Sequence, residues 1–76
     1  MSAPHTLFDE RRQGLAARVR ALRAERGLSQ EALAHEAGID RTYASQIERA
    51  VGNPSLKVLC AIATALKADL GELLDR

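Results

Sequence analysis

The sequence is poor in most of what an enzyme, a secreted scaffold or a membrane protein requires. It has one cysteine, Cys60, no tryptophan, and only Phe8 and Tyr43 as aromatic side chains. A single thiol excludes an internal disulfide framework, and Cys60 is expected to be a small, partly buried packing residue. No apolar run approaches the ~20 residues that cross a bilayer. The opening MSAPHTLFDERR lacks the charged-then-apolar layout of a signal peptide, so a cytoplasmic location is expected. His5 and His35 are isolated from each other, with no metal-ligand spacing, no Gly-rich phosphate loop and no nucleophile–base pair. Catalysis, metal and cofactor are therefore not expected. Bulk charge is scarce too: 11 Lys+Arg against 10 Asp+Glu give a net charge of +1. A polybasic tail is excluded, and a nucleic-acid partner must be held by where the charges sit.

What is present is a 76-residue chain, 46% hydrophobic and 28% charged. That is one small soluble domain, of a size that buries only ~60% of its unfolded surface. Ala, Leu, Arg and Glu dominate and no alternating strand pattern occurs, so the fold class is all-α. Residues 1–5, with Pro4, are expected to be a flexible end, and residues 6–76 one domain.

The punctuation predicts five helices. The first runs from Leu7 to about Arg26, capped by Thr6 with Asp9 imitating a capping box, and ended by Gly27. Phe8, Leu15, Val19 and Leu22 form its apolar stripe. The second covers Gln30 to Ala37, between the cap Ser29 and Gly38. Asp40 caps the third, Arg41 to about Arg49, whose inner face is Ala44 and Ile47. Pro54 forces an extended approach and Ser55 caps the fourth, Leu56 to Ala68, with Leu56, Leu59, Ile62, Ala63 and Leu66 inward. Asp69-Leu70-Gly71-Glu72 is a capping box that opens a short fifth helix.

The second and third helices are joined only by Gly38-Ile39-Asp40. Two short helices on so short a joint must cross steeply, which makes residues 29–49 a helix-turn-helix unit. Ala34, Ala37 and Ala44 let the axes approach closely. On the third helix Arg41, Thr42, Ser45 and Gln46 face outward. Arginine can donate twice to guanine, glutamine can pair both edges of adenine, and threonine can meet a thymine methyl.

The stretch SQEALAHEAGIDRTYASQIER resembles the helix-turn-helix of the Cro/lambda-repressor (XRE) family. The pattern is Gln30-Glu31, Leu33-Ala34, Ala37-Gly38-Ile39 and Ile47-Glu48. It is flanked by Val19–Arg23 with Arg26-Gly27-Leu28 before and Asn53–Leu56 with Ile62–Leu66 after, covering residues 15–74. The resemblance implies a compact five-helix bundle and a sequence-specific regulator of transcription bound to double-stranded DNA. It also implies base reading by Arg41, Thr42, Ser45 and Gln46, and phosphate contacts from Gln30, Tyr43, Arg23 and Asn53. Tyr43 can equally pack its ring over the joint. Arg23 and Glu48 match an internal ion pair in the family.

Symmetric dimers on a palindromic operator would supply the selectivity one reading helix lacks. The expected interface lies within residues 56–76, at Val58, Ala61, Leu70, Leu73 and Leu74, which otherwise simply close the bundle. Residues 11–26 hold six arginines and one glutamate, a local +5 that can be the electrostatic footprint. Relatives commonly follow the third helix with Gly and basic residues. Here the segment is Ala50-Val51-Gly52, so Ala50 or Gly52 must take the left-handed turn. Asp40-Arg41-Thr42-Tyr43 and the bare length resemble the controller proteins of restriction–modification systems, which act on their own promoters. By the same resemblance, Glu31 can touch the sigma factor of RNA polymerase. With no small-molecule ligand expected, control would rest on dimer concentration and operator layout. The rival reading is an antitoxin-like interaction module with secondary DNA binding.

Overall fold

The computed structural model describes residues 6–74, so the expected flexible end at residues 1–5 lies outside the described residues. Five helices follow one another: α1 (Leu7–Glu25), α2 (Gln30–Ala37), α3 (Arg41–Glu48), α4 (Leu56–Leu66) and α5 (Leu70–Leu74), with no strand among the described residues. The fold class and all five elements agree with the sequence reading.

Local chemistry sets most boundaries. The hydroxyls of Thr6, Ser29 and Ser55 accept from the N–H groups of Asp9, Ala32 and Val58 at 3.0, 3.0 and 3.2 Å. Each pairs one of the N–H groups that a helix start leaves unbonded. At the start of α5 the Asp69 N–H donates to Glu72 Oε1 at 3.1 Å, half of the expected capping box. Asp40 differs: its backbone is extended before α3, but its side chain makes no capping bond. Asp9 differs too, because its carboxylate turns to Arg12 at 3.2 Å.

Helix α4 stops at Leu66, two residues earlier than its pattern suggests. Lys67 enters the left-handed region at φ 55°, and the Ala68 N–H returns to the Ala63 carbonyl at 2.9 Å. No sequence signal marks a lysine as a stop. Beyond α3, both Ala50 (φ 58°) and Gly52 (φ 85°) are left-handed. The alanine carries a cost of about 1–2 kcal/mol that a glycine there avoids.

Helix α1 is the long strut. It packs on α3 and α5, while α2 packs on α3 and α4, and α4 on α5. Leu15, Val19 and Leu22 of α1 meet Leu33, Ile47, Ile62, Leu66 and Leu73 in one core. Each fully buried Leu or Ile side chain is worth roughly 1.5–3 kcal/mol. Three apolar positions depart from the expected stripes. Phe8 is 47% exposed, Leu56 is 65% exposed, and Cys60 is exposed rather than packed. Phe8 and Leu56 stand at the beginnings of their helices, beyond the reach of the neighbours that cover the stripe further along.

Candidate nucleic-acid interface

The joint between α2 and α3 is made by Gly38 in the left-handed conformation, φ 70°, which returns the Ile39 N–H to the Ala34 carbonyl at 2.9 Å. Ala34 and Ala44 are buried at the crossing, and Ile47 anchors α3 in the core. The opposite side of α3 is polar. Arg41 and Thr42 are exposed, and Ser45 and Gln46 are half-buried. Gln30, Arg41, Thr42 and Ser45 together line a shallow open recess of about 280 Å³ between the start of α2 and α3.

Arg49 was not singled out from the sequence, yet it belongs to this face. Thr42, Ser45, Gln46 and Arg49 have the spacing i, i+3, i+4, i+7 that aligns side chains along one helix face. Arg49 is exposed and has no ion-pair or hydrogen-bonding side-chain partner among the described residues. That spacing was the available signal.

The reading helix is braced by Glu48, which is 4% exposed. Its carboxylate accepts from Arg23 Nε at 2.6 Å and Nη2 at 2.9 Å, and from Gln30 Nε2 at 3.2 Å. Arg23 Nη1 also donates to the Leu28 carbonyl at 3.0 Å. One carboxylate thus ties α1, α2 and α3. The Arg23 guanidinium is held above its ordinary pKa chiefly by the hydrogen bond to Glu48, which outweighs the opposing effect of burial, with a lesser contribution from the Glu48 charge. A raised folded-state pKa stabilises the fold at all pH below the unfolded value. The contribution is lost only as pH rises through the folded value, above the arginine range, so this group adds no pH dependence near neutrality.

Arg23 thus spends three of its five N–H donors within the bundle. Gln30 keeps one amide hydrogen free beside the recess. Tyr43 is half-buried with its ring packed against the core. Asn53 is exposed but stands apart from Gln30 and Arg41, at an apolar groove with Phe8 and Pro54. Glu31 is exposed on the first turn of α2.

The +5 stretch of α1 and its cap has a structural use. All six of its arginines donate to backbone carbonyls elsewhere in the bundle. Arg11 reaches Leu74 at 3.4 Å, Arg12 Gly52 at 3.3 Å, and Arg18 Glu72 at 3.1 Å. Arg20 reaches the Glu48 carbonyl, Arg23 Leu28, and Arg26 Leu66 at 2.8 Å. The acceptors at residues 48, 66, 72 and 74 lie in the last turns of α3, α4 and α5, where carbonyls lack partners and the helix dipole favours a cation.

The expected dimer residues differ in exposure. Leu73 is fully buried in its own core, and Leu70 and Val58 pack against it. Leu73 has no surface to offer a second chain, because α5 is short enough to need it for closure. Ala61 is half-buried, and Leu74 lines the groove near Phe8.

A close-packed pair of short helices on a three-residue joint, with the second presenting a polar outer face, defines a helix-turn-helix DNA-binding unit. The helix-turn-helix family model matches residues 19–73, and the chain belongs to that family, in its Cro/lambda-repressor (XRE) branch of DNA-binding transcriptional regulators. It is 39% identical over 69 residues to control protein C.SmaI of Serratia marcescens, covering 91% of this chain and 82% of the relative. It is 49% identical over 49 residues to an immunity repressor protein of Bacillus phage phi105, covering 64% of this chain and 34% of that protein. The chain thus spans about a third of the phage repressor's length. Among solved structures, the restriction-modification controller protein C.AhdI from Aeromonas hydrophila superposes with a TM-score of 0.79 at 42% identity, over 82% of this chain and 94% of that one. The family is one of regulators, not of enzymes. No described helix is long and apolar enough to cross a membrane.

Proposed function

We propose that the chain is a sequence-specific transcriptional regulator that binds a palindromic operator as a homodimer and acts on its own promoter, in the manner of a controller protein. The observation that carries this reading is the outward face of α3, with Arg41 and Thr42 exposed on a helix whose inner side is locked by Glu48. A reading helix needs both a free polar face and a rigid mount, because misplaced donors lose their bidentate geometry. Arg41 and Gln46 read base edges, Thr42 and Ser45 add contacts in the same groove, and Gln30 holds phosphate at the start of α2. Glu31, exposed next to Gln30, is the side chain offered to a sigma factor when the operator adjoins a promoter.

The test is a mobility-shift titration with the DNA upstream of the chain's own gene, at several salt concentrations. A discrete complex that survives excess unrelated DNA is expected. Retardation that unrelated DNA abolishes at every salt concentration overturns the reading.

A further inference from the structure

We infer that the groove beside the first turns of α1 is a binding site for a small amphipathic carboxylate, a single ring or short chain bearing one carboxylate head. The inference goes beyond the regulator reading and does not depend on it. Phe8 and Leu15 of α1, Pro54, Leu59 of α4 and Leu74 of α5 line an apolar hollow of about 180 Å³. A dry apolar cavity of ~150 Å³ takes up benzene, so one ring fits here and a long acyl chain does not. Four separate segments supply the walls, which is why no spacing in the sequence marks the site.

Charge selects the head group. Arg11 and Arg12 are the charged side chains lining the groove, Asn53 adds an amide, and no carboxylate lines it. Arg12 places Nη1 on the Gly52 carbonyl and Nη2 on Asp9 at 3.2 Å, with its guanidinium 4.8 Å over the Phe8 ring. Its Nε is buried with no hydrogen-bond partner, alone in this among the buried side-chain N and O atoms of the described residues. A buried cationic donor without an acceptor marks a place where an acceptor belongs. Arg11 reaches only the Leu74 carbonyl, by a long bond of 3.4 Å, and enters no ion pair among the described residues. Two neighbouring guanidinium groups with donors to spare, on the wall of an apolar hollow, suit a planar carboxylate whose hydrocarbon rests on Leu15 and Leu59. A cation is repelled there, and a neutral ligand leaves the donors unmet. Arg12 also holds Gly52, which follows Arg49 by three residues, so an occupant adjoins the segment that leaves the reading helix.

Titrating the isotope-labelled full chain with benzoate, followed by its amide resonances and without DNA, tests the site. Shifts should centre on Phe8, Arg12, Asn53 and Leu74, leave α2 unmoved, and saturate with a dissociation constant of about 1 mM or lower. Benzyl alcohol keeps the ring without the charge, and acetate keeps the head without the ring. Each should bind at least ~10-fold more weakly than benzoate. Arg11→Gln and Arg12→Gln should each weaken benzoate by at least ~10-fold. R11Q gives up only the long bond to Leu74, so it decides the matter if R12Q unfolds. Benzyl alcohol bound as tightly as benzoate, or R11Q binding benzoate as the parent does, overturns the inference. Acetate giving the same shifts at the same concentrations overturns it too, as an adventitious ion only. Shifts that fade as the protein is concentrated show another copy of the chain in the groove, and no saturable shift by ~10 mM shows no site; both overturn it.

Discussion

Helix α1 with the residue that ends it carries six arginines, while α3 with the residue that ends it carries two, and the same side chain has opposite fates in the two places. On α1 every guanidinium bends back to a carbonyl of its own chain, four of them in the closing turns of other helices. On α3, Arg41 and Arg49 stay in solvent without an internal partner among the described residues. Charge density alone does not tell these two uses apart. Six arginines within sixteen residues are tied to the bundle, while two elsewhere remain free for a ligand.

The sharpest way to break this contrast is at the hinge between the two sets. Glu48→Ala leaves the Arg23 guanidinium and the Gln30 amide without their shared acceptor, and removing the buried partner of such a pair costs about 3 kcal/mol. Thermal denaturation should show a fall of at least ~12 °C in a domain this small, with DNA binding lost through unfolding. An unchanged melting temperature refutes the brace. Arg41→Ala should do the reverse. Discrimination at one operator position should drop by ~1–3 kcal/mol in a randomised-site selection, with stability moved by no more than ~0.5 kcal/mol. Unaltered preference at every position shows that Arg41 does not read a base. Arg26→Ala removes a charged donor from the end of α4 and should lower stability by ~1 kcal/mol, while the folded variant binds DNA as the parent does. A large loss of affinity there would make α1 a second DNA-binding surface. The smallest effect belongs to Arg49→Ala, whose signature is a salt dependence of binding flattened by ~0.9 in log–log slope at unchanged sequence preference. A slope equal to the parent's removes Arg49 from the phosphate contacts.

What could be read from the sequence was what is decided locally. Ser29, Gly38 and Ser55 announce their roles because a cap or a left-handed turn is settled within three or four residues. The outward face of α3 is legible for the same reason, since about half a helical turn separates Ala44 from Thr42 and Gln46. The destinations of the α1 arginines were hidden, because a long flexible side chain reaches an acceptor tens of residues away and leaves no spacing to detect. Apolar periodicity likewise assigned Phe8 and Leu56 to the core, although it cannot say where a neighbouring helix stops covering a stripe. Leu73 looked surplus until α5 was seen to bury it fully.

The span of the arginine contacts also bears on how the protein is made. Arg11, Arg18 and Arg26 find their acceptors 63, 54 and 40 residues further along the chain. At a synthesis rate of ~5–20 residues per second, the first helix waits seconds for the carbonyls that will occupy it. Throughout that interval these guanidinium groups are left to water, and the ends of α3, α4 and α5 gain their cationic partners only when each helix has emerged. The first helix made is therefore the last to complete its polar contacts.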